Sequence, residues 1–339
     1  MPRMTDFADL VRAPAALSVP GDVVAGAAAA GTLGRRTPAL AAASVLLYWA
    51  GMAGNDWADR RLDAVERPER PIPSGRVAPA TALGLAAGLT AAGVGLAAAA
   101  GGRRAAAVAV PLAATIWGYD LAAKNTAAAP AVMAACRGLD VLLGASGGRV
   151  ARALPAALTV AAHTWTVTAL SRREVTGAGA ALPLRTLAGT ALVAASAATA
   201  RAPRPPAQAE PGRAASGRIA PGQAAPARIE RGRAALARTT FARTVPGRPG
   251  CVAAPARQVA AVLPALLAGW YAARYGAAQA RVAVEPSAAR VRAAVGAGIT
   301  GLPALQGALI AQAGAGPLGL VVAAAALLGR RLARKVSPT

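Results

Sequence analysis

Residues 55–63 read Asn55-Asp56-Trp57-Ala58-Asp59-Arg60-Arg61-Leu62-Asp63, and the chain runs on through Arg67-Pro68-Glu69-Arg70-Pro71-Ile72-Pro73-Ser74-Gly75-Arg76. The stretch follows an apolar segment long enough to cross a bilayer, for which about 20 residues suffice. Asp56, Asp59 and Asp63 stand at i, i+3 and i+7, positions that share one face of a helix with 3.6 residues per turn. Three carboxylates this close repel one another and call for a cation among them. Oxygen ligands of this kind suit magnesium, which keeps several waters and is completed by substrate phosphates. The spacing therefore points to metal-assisted binding of a diphosphate at a membrane surface.

Outward from this stretch, the composition agrees with a membrane setting. Of 339 residues, 55% are hydrophobic and only 3% aromatic; the mean hydropathy is +0.43. Long uncharged runs recur along the chain, which predicts an all-α, polytopic transmembrane helical bundle. The formal net charge of +23 sits mostly between apolar runs and at the C-terminal end, as the positive-inside bias produces. There is no aromatic-basic platform and no nucleic-acid module, so nucleic acid is excluded as a partner. Cys136 and Cys251 have no CxxC spacing and imply neither a disulfide framework nor a zinc site. Asp6 and Asp9 interrupt any signal-peptide pattern, and insertion through internal spans is expected.

Ten apolar segments are predicted, at about 12–33, 37–57, 78–100, 105–121, 129–147, 153–171, 179–199, 258–275, 293–313 and 317–329. Arg103 and Arg104 separate the third from the fourth. The loop 58–77, dense in arginine, is placed on the cytoplasmic side, and a second loop is placed at 276–292. Domain organisation follows: 1–200 forms the core with both motif loops, 201–257 is an insertion, and 258–339 completes the bundle. The insertion holds eleven arginines against two acids and has no periodic apolar pattern, so disorder is expected. Arg137 and Asp140 lie three residues apart inside a segment and are expected to pair with each other. His163 lies within the sixth segment.

The motif NDxxDxxxD at Asn55, Asp56, Asp59 and Asp63, followed by RPxPSG at Arg70, Pro71, Pro73, Ser74 and Gly75, resembles the first signature of the UbiA superfamily of membrane prenyltransferases. The resemblance implies a UbiA-like bundle of nine spans, against the ten segments read here. It also implies an integral protein of a bacterial-type inner or cell membrane, with its active site on the cytoplasmic face. It extends to Tyr119, Asp120 and Lys124 and to Arg137. At the end of the sixth segment such enzymes carry DxxxD. Here Ser171-Arg172-Arg173-Glu174-Val175-Thr176-Gly177 stands instead, leaving Glu174 as the acid available.

The span ends after the second, fourth and sixth segments fall on one face, where a helical bundle can build a site. Asp56, Asp59, Asp63 and Glu174 are the candidate magnesium ligands. Asn55, Arg70, Tyr119, Lys124, Arg137, Arg172 and Arg173 are candidates for substrate binding. Lys124, Asp140 and Glu174 are the candidate catalytic groups, with Lys124 stabilising charge on the diphosphate and Asp140, or else His163, taking the acceptor's proton. What the resemblance implies is magnesium-dependent transfer of an isoprenyl group from an isoprenoid diphosphate to an aromatic or lipid acceptor, with membrane lipids around it. A membrane terpene cyclase and a non-catalytic lipid-binding or transport protein of the same fold are the alternatives.

Overall fold

The computed structural model describes residues 3–12, 18–199 and 253–325, with side chains from 258 onward in the last stretch. The expected insertion at 201–257, apart from the backbone of 253–257, and the basic tail lie outside the described residues. Ten α-helices follow in order among the described residues: α1 (Met4–Leu10), α2 (Val19–Ala30), α3 (Thr37–Glu66), α4 (Pro79–Gly118), α5 (Ala129–Gly144), α6 (Leu154–Ser171), α7 (Ala181–Ala198), α8 (Ala253–Val284), α9 (Ala288–Gln312) and α10 (Gly316–Ala325). No strand occurs among these residues.

Prolines mark where helices begin. Pro20, Pro38, Pro79, Pro130 and Pro155 each occupy the first or second position of α2, α3, α4, α5 and α6. There the missing N–H is one the helix would leave unpaired anyway. Among the described residues, six helical segments are long and apolar enough to cross a membrane, and α2 and α10 are shorter apolar helices.

Three departures from the segment reading matter for the site. First, α3 does not stop near residue 57 but continues to Glu66. The aspartates therefore sit within a helix, and the connecting loop shrinks to 67–78. Second, the two segments on either side of Arg103 and Arg104 are one helical element broken at Gly102 (φ 67°, ψ −159°). The Trp117 indole N–H donates to Thr90 Oγ1 at 3.1 Å, although 27 residues of straight helix would separate them by about 40 Å. The two arms thus fold back on each other. Third, the expected loop at 276–292 is reduced to residues 285–287, because α8 carries Arg281 and α9 carries Arg290 and Arg292.

Helix α2 is the hub: it packs against α3, α5 and α9. Its approach to α5 is so close that a Cβ at Gly26 would collide with the Val141 carbonyl, and one at Gly144 with the Val23 carbonyl. Small residues are what allow backbones in an apolar bundle to come this near. One core gathers Leu40, Leu47, Leu112, Ile116 and Leu143 between α3, α4 and α5. A larger one gathers residues such as Val160, Tyr271, Tyr275, Leu305 and Ile310 among α6, α8 and α9. A third, with Leu10, Ala53, Ile72, Val77 and Ala82, fastens α1 and the 67–78 loop to α3 and α4.

Candidate active site

The RPxPSG segment folds as a compact knot. Ser74 Oγ donates to the Arg70 carbonyl at 2.7 Å, and the Val77 N–H donates to the Pro71 carbonyl at 2.9 Å. Gly75 takes φ 75°, a left-handed conformation that costs a residue with a Cβ. This turn returns Arg70 to the face of α3 that carries the acids. Arg70 Nη1 lies 2.6 Å from Asp63 Oδ2 and 3.4 Å from Asp56 Oδ1. Asp56 is 3% exposed and Asp63 2%.

Each aspartate of the face has a cation. Asp56 also receives Arg12 Nη2 at 2.7 Å, and Asp63 has Arg67 Nη1 at 3.9 Å. Asp59 Oδ1 lies 2.5 Å from Lys124 Nζ, whose ammonium also donates to Asn55 Oδ1 at 3.3 Å. Lys124 follows the π-helical turn Tyr119–Ala123 that ends the second arm of α4. From the end of α6, Arg172 Nη1 donates to the Lys124 carbonyl at 3.3 Å. The structure thus brings together Asn55, Asp56, Asp59, Asp63, Arg70, Lys124 and Arg172, with Tyr119 on the same turn as Lys124.

Two candidates stand apart from that cluster. The Glu174 carbonyl accepts from Arg292 Nη1 at 2.9 Å. Burial raises the Glu174 carboxyl above its ordinary value, and the neighbouring Arg292 offsets part of that rise. Arg173 is exposed; its backbone N–H donates to the Leu170 carbonyl and its own carbonyl accepts from the Gly177 N–H, both at 2.9 Å.

The expected pairing of Arg137 with Asp140 is overturned. Arg137 Nε reaches across to Asp22 Oδ2 on α2 at 2.7 Å, while Asp140 accepts from the Ser44 hydroxyl on α3. Asp22 is a fully buried acid with no basic residue on its own helix; an acid so placed in an apolar bundle needs a cation from elsewhere. Gln306 of α9 donates to Asp22 Oδ1 at 2.6 Å and completes the arrangement.

A cavity of about 420 Å³ connects the two regions. Arg12, Asn55, Tyr119, Asp120 and Ser171 line its mouth; Tyr48, Arg137, His163 and Thr164 line it deeper, with apolar side chains such as Met52, Met133 and Val295 between. Arg12, Tyr48 and Asp120 were not among the sequence candidates. Arg12 precedes the bundle without any motif spacing, so nothing local marks its contact with Asp56. Asp22 carried a usable signal, namely an isolated acid in an apolar segment.

Among the described residues no three His, Cys, Asp or Glu side chains converge as an all-protein metal cage. Magnesium does not need one, since one or two carboxylates with waters and substrate phosphates satisfy it. Asp56 and Asp63 both contact the same Arg70 nitrogen, so their oxygens already surround a point where positive charge is held. The residues fit a magnesium ion of that partly hydrated kind.

The sequence model of the UbiA prenyltransferase family matches residues 18–200. A digeranylgeranylglyceryl phosphate synthase from Methanothrix thermoacetophila is 56% identical over 48 residues, 14% of this chain and 18% of that protein. The protein of the same name from Ignicoccus hospitalis is 38% identical over 91 residues, 27% of this chain and 30% of that one. The chain therefore matches less than a third of the length of these relatives. Among solved structures, one described as "Structural and mechanistic insights into the biosynthesis of Digeranylgeranylglyceryl phosphate synthase in membranes" superposes with a TM-score of 0.59 at 13% identity, covering 91% of this chain and 98% of the other. A UbiA homologue from Aeropyrum pernix K1 superposes at 0.50 with 18% identity, covering 84% and 96%. Both are similarities of fold.

Proposed function

The chain belongs to the UbiA prenyltransferase family, and from that premise we propose that it transfers an isoprenyl group from an isoprenoid diphosphate to a lipid acceptor within a membrane. The observation that carries this reading is the meeting of Asp59 and Lys124 at 2.5 Å, with Lys124 also bound to Asn55, a residue that lines a cavity among the apolar helices. The names of the relatives, digeranylgeranylglyceryl phosphate synthases, support a lipid acceptor over an aromatic one.

In this reading Asp56, Asp59 and Asp63 would hold magnesium, which when bound would supply positive charge to a diphosphate leaving group. Lys124 and Arg172 place fixed positive charge against the leaving group, where preorganised charge is most effective. Arg70 and Arg12 hold Asp56 and Asp63 in position. Tyr119 and Asn55 line the mouth through which the donor's first isoprene unit enters, and the apolar cavity behind them excludes water from the allylic cation. Glu174, the one acid of the 171–177 segment, would add a single carboxylate to the α3 acids.

The architecture proposed is a ten-span bundle with the 67–78 loop on the cytoplasmic side. It counts the two arms of α4 separately and adds α2, α8 and α10 to the remaining apolar helices. Arg67, Arg70 and Arg76 on that loop support its side.

A second reading, a lipid-binding protein without turnover, is favoured by one feature: SRREVTG at 171–177 lacks the second pair of acids. Purified protein in detergent with magnesium and geranylgeranyl diphosphate separates the two. Acceptor-dependent diphosphate release is expected. Release equal without an acceptor would indicate cyclisation or hydrolysis, and no release with any isoprenoid diphosphate would leave binding alone.

A further inference from the structure

The inner end of the cavity has a charge balance that bears on the acceptor. Tyr48 lies seven residues from Asn55 on α3, and His163 eight residues from Ser171 on α6, so both sit about 10–12 Å in from the mouth. Arg137 is the cation at this depth, and its charge is already taken. Asp22 lies 2.7 Å from Nε. The Ser18 carbonyl accepts from Nη2 at 3.4 Å, and the Tyr48 ring lies 5.5 Å from the guanidinium carbon. Asp140, also fully buried, stands one turn along α5. A phosphate brought here would find this guanidinium already paired with Asp22, whereas a neutral hydroxyl needs no free cation.

His163 supplies what a hydroxyl needs. It is 2% exposed and lines the cavity. Its Nδ1 is 2.8 Å from the Tyr271 hydroxyl, and both Tyr271 and Tyr275 pack edge-on against the ring. Nε2 has no partner among the described residues. Asp140 is bonded to Ser44 and does not line the cavity, so it is not placed to touch an acceptor.

We propose that Tyr48, Arg137, His163 and Thr164 form an acceptor subsite for a neutral hydroxyl, not for a phosphate-bearing head group, and that His163 is the base. This rests on the transferase reading above. Nδ1–H donates to the Tyr271 oxygen, which leaves the Nε2 lone pair facing the cavity. In the reaction the acceptor O–H bond breaks and its oxygen bonds to C1 of the isoprenyl group. The C1–O bond to diphosphate breaks with its electron pair leaving on diphosphate, and the proton passes to Nε2.

The test uses the full chain in detergent with magnesium and geranylgeranyl diphosphate, offered either geranylgeranylglycerol or the same ether phosphorylated. Transfer to the unphosphorylated alcohol is expected to exceed transfer to the phosphate at least tenfold in kcat/KM. In His163→Gln, kcat with the alcohol should fall about 100-fold or more, with the KM for geranylgeranyl diphosphate unchanged. Preference for the phosphorylated ether, no response to either ether, or an unchanged kcat in a folded His163→Gln protein each overturns the subsite while leaving donor ionisation standing. Absence of any diphosphate release by the wild-type chain overturns the transferase reading and the subsite with it. The acceptor preference is read on the wild-type chain, so it decides the matter even where the variant does not fold.

Discussion

Arg70 touches two buried carboxylates at once, and that is a stability statement as well as a functional one. Removing it leaves Asp56 with Arg12 and Asp63 with a long contact to Arg67. Breaking a buried pair from one side strands charge, so Arg70→Ala should cost about 3 kcal/mol, read from denaturation in detergent. An unchanged midpoint would show that Arg70 is not holding these acids. The deeper cluster makes the same argument across helices. Arg137→Gln should destabilise strongly, and Asp22→Asn added to it should recover part of the loss; strictly additive losses would mean the two do not interact. The α3 acids and Lys124 were legible because their spacing and loop position are local properties of the sequence. The Arg137–Asp22 pair was not, since it joins residues 115 positions apart, and the nearer Asp140 offered a local partner that Ser44 claims instead.

Helix α1 and the 67–78 loop work as one strap across the mouth. Arg76 Nη1 binds Asp6 at 2.8 Å and Asp9 at 3.3 Å, and Leu10 is fully buried beneath them. The Arg3 backbone N–H, and then Arg76, hold the Asp6 carboxyl below its ordinary 3.8. A carboxyl with a lowered folded value stabilises above its unfolded pKa, and that contribution is lost as pH falls through the folded value. Asp6→Asn should therefore melt below wild type at pH 6, with the gap beginning to close below about pH 3.8 and vanishing only in acid below the lowered folded value. A gap that persists there would exclude the charge as its origin. Gly75→Ala forces a Cβ into φ 75° and should cost about 1 kcal/mol; a neutral result would mean the turn relaxes. The existence of helices was legible from apolar runs, and their starts from prolines. The length of α3 was not, because its last two turns are charged and stay helical by pairing with Arg70, Arg67 and Lys124.

For the molecule as a whole, the fold-back at Gly102 sets the topology. If the two arms of α4 are separate spans, Gly102–Arg104 and the 67–78 loop lie on opposite sides of the membrane. Single cysteines at Ser74 and Arg104, in a chain without Cys136 and Cys251, should react with an impermeant maleimide from opposite sides; labelling from one side would remove a span. The segment pattern made the membrane bundle legible, since nothing else offers so many apolar runs a place to be buried. The cavity and its charge balance were not legible, because they depend on which helix faces meet around α2. What the whole arrangement exists to do, in this account, is hold a diphosphate between the α3 acids and Lys124. The most direct test is magnesium-dependent diphosphate release from geranylgeranyl diphosphate by wild type and by folded Asp56→Asn and Asp59→Asn proteins, each with an acceptor present. Release by wild type and a fall of at least about 100-fold in both variants are expected; wild-type rates in either would show that these acids do not hold the diphosphate.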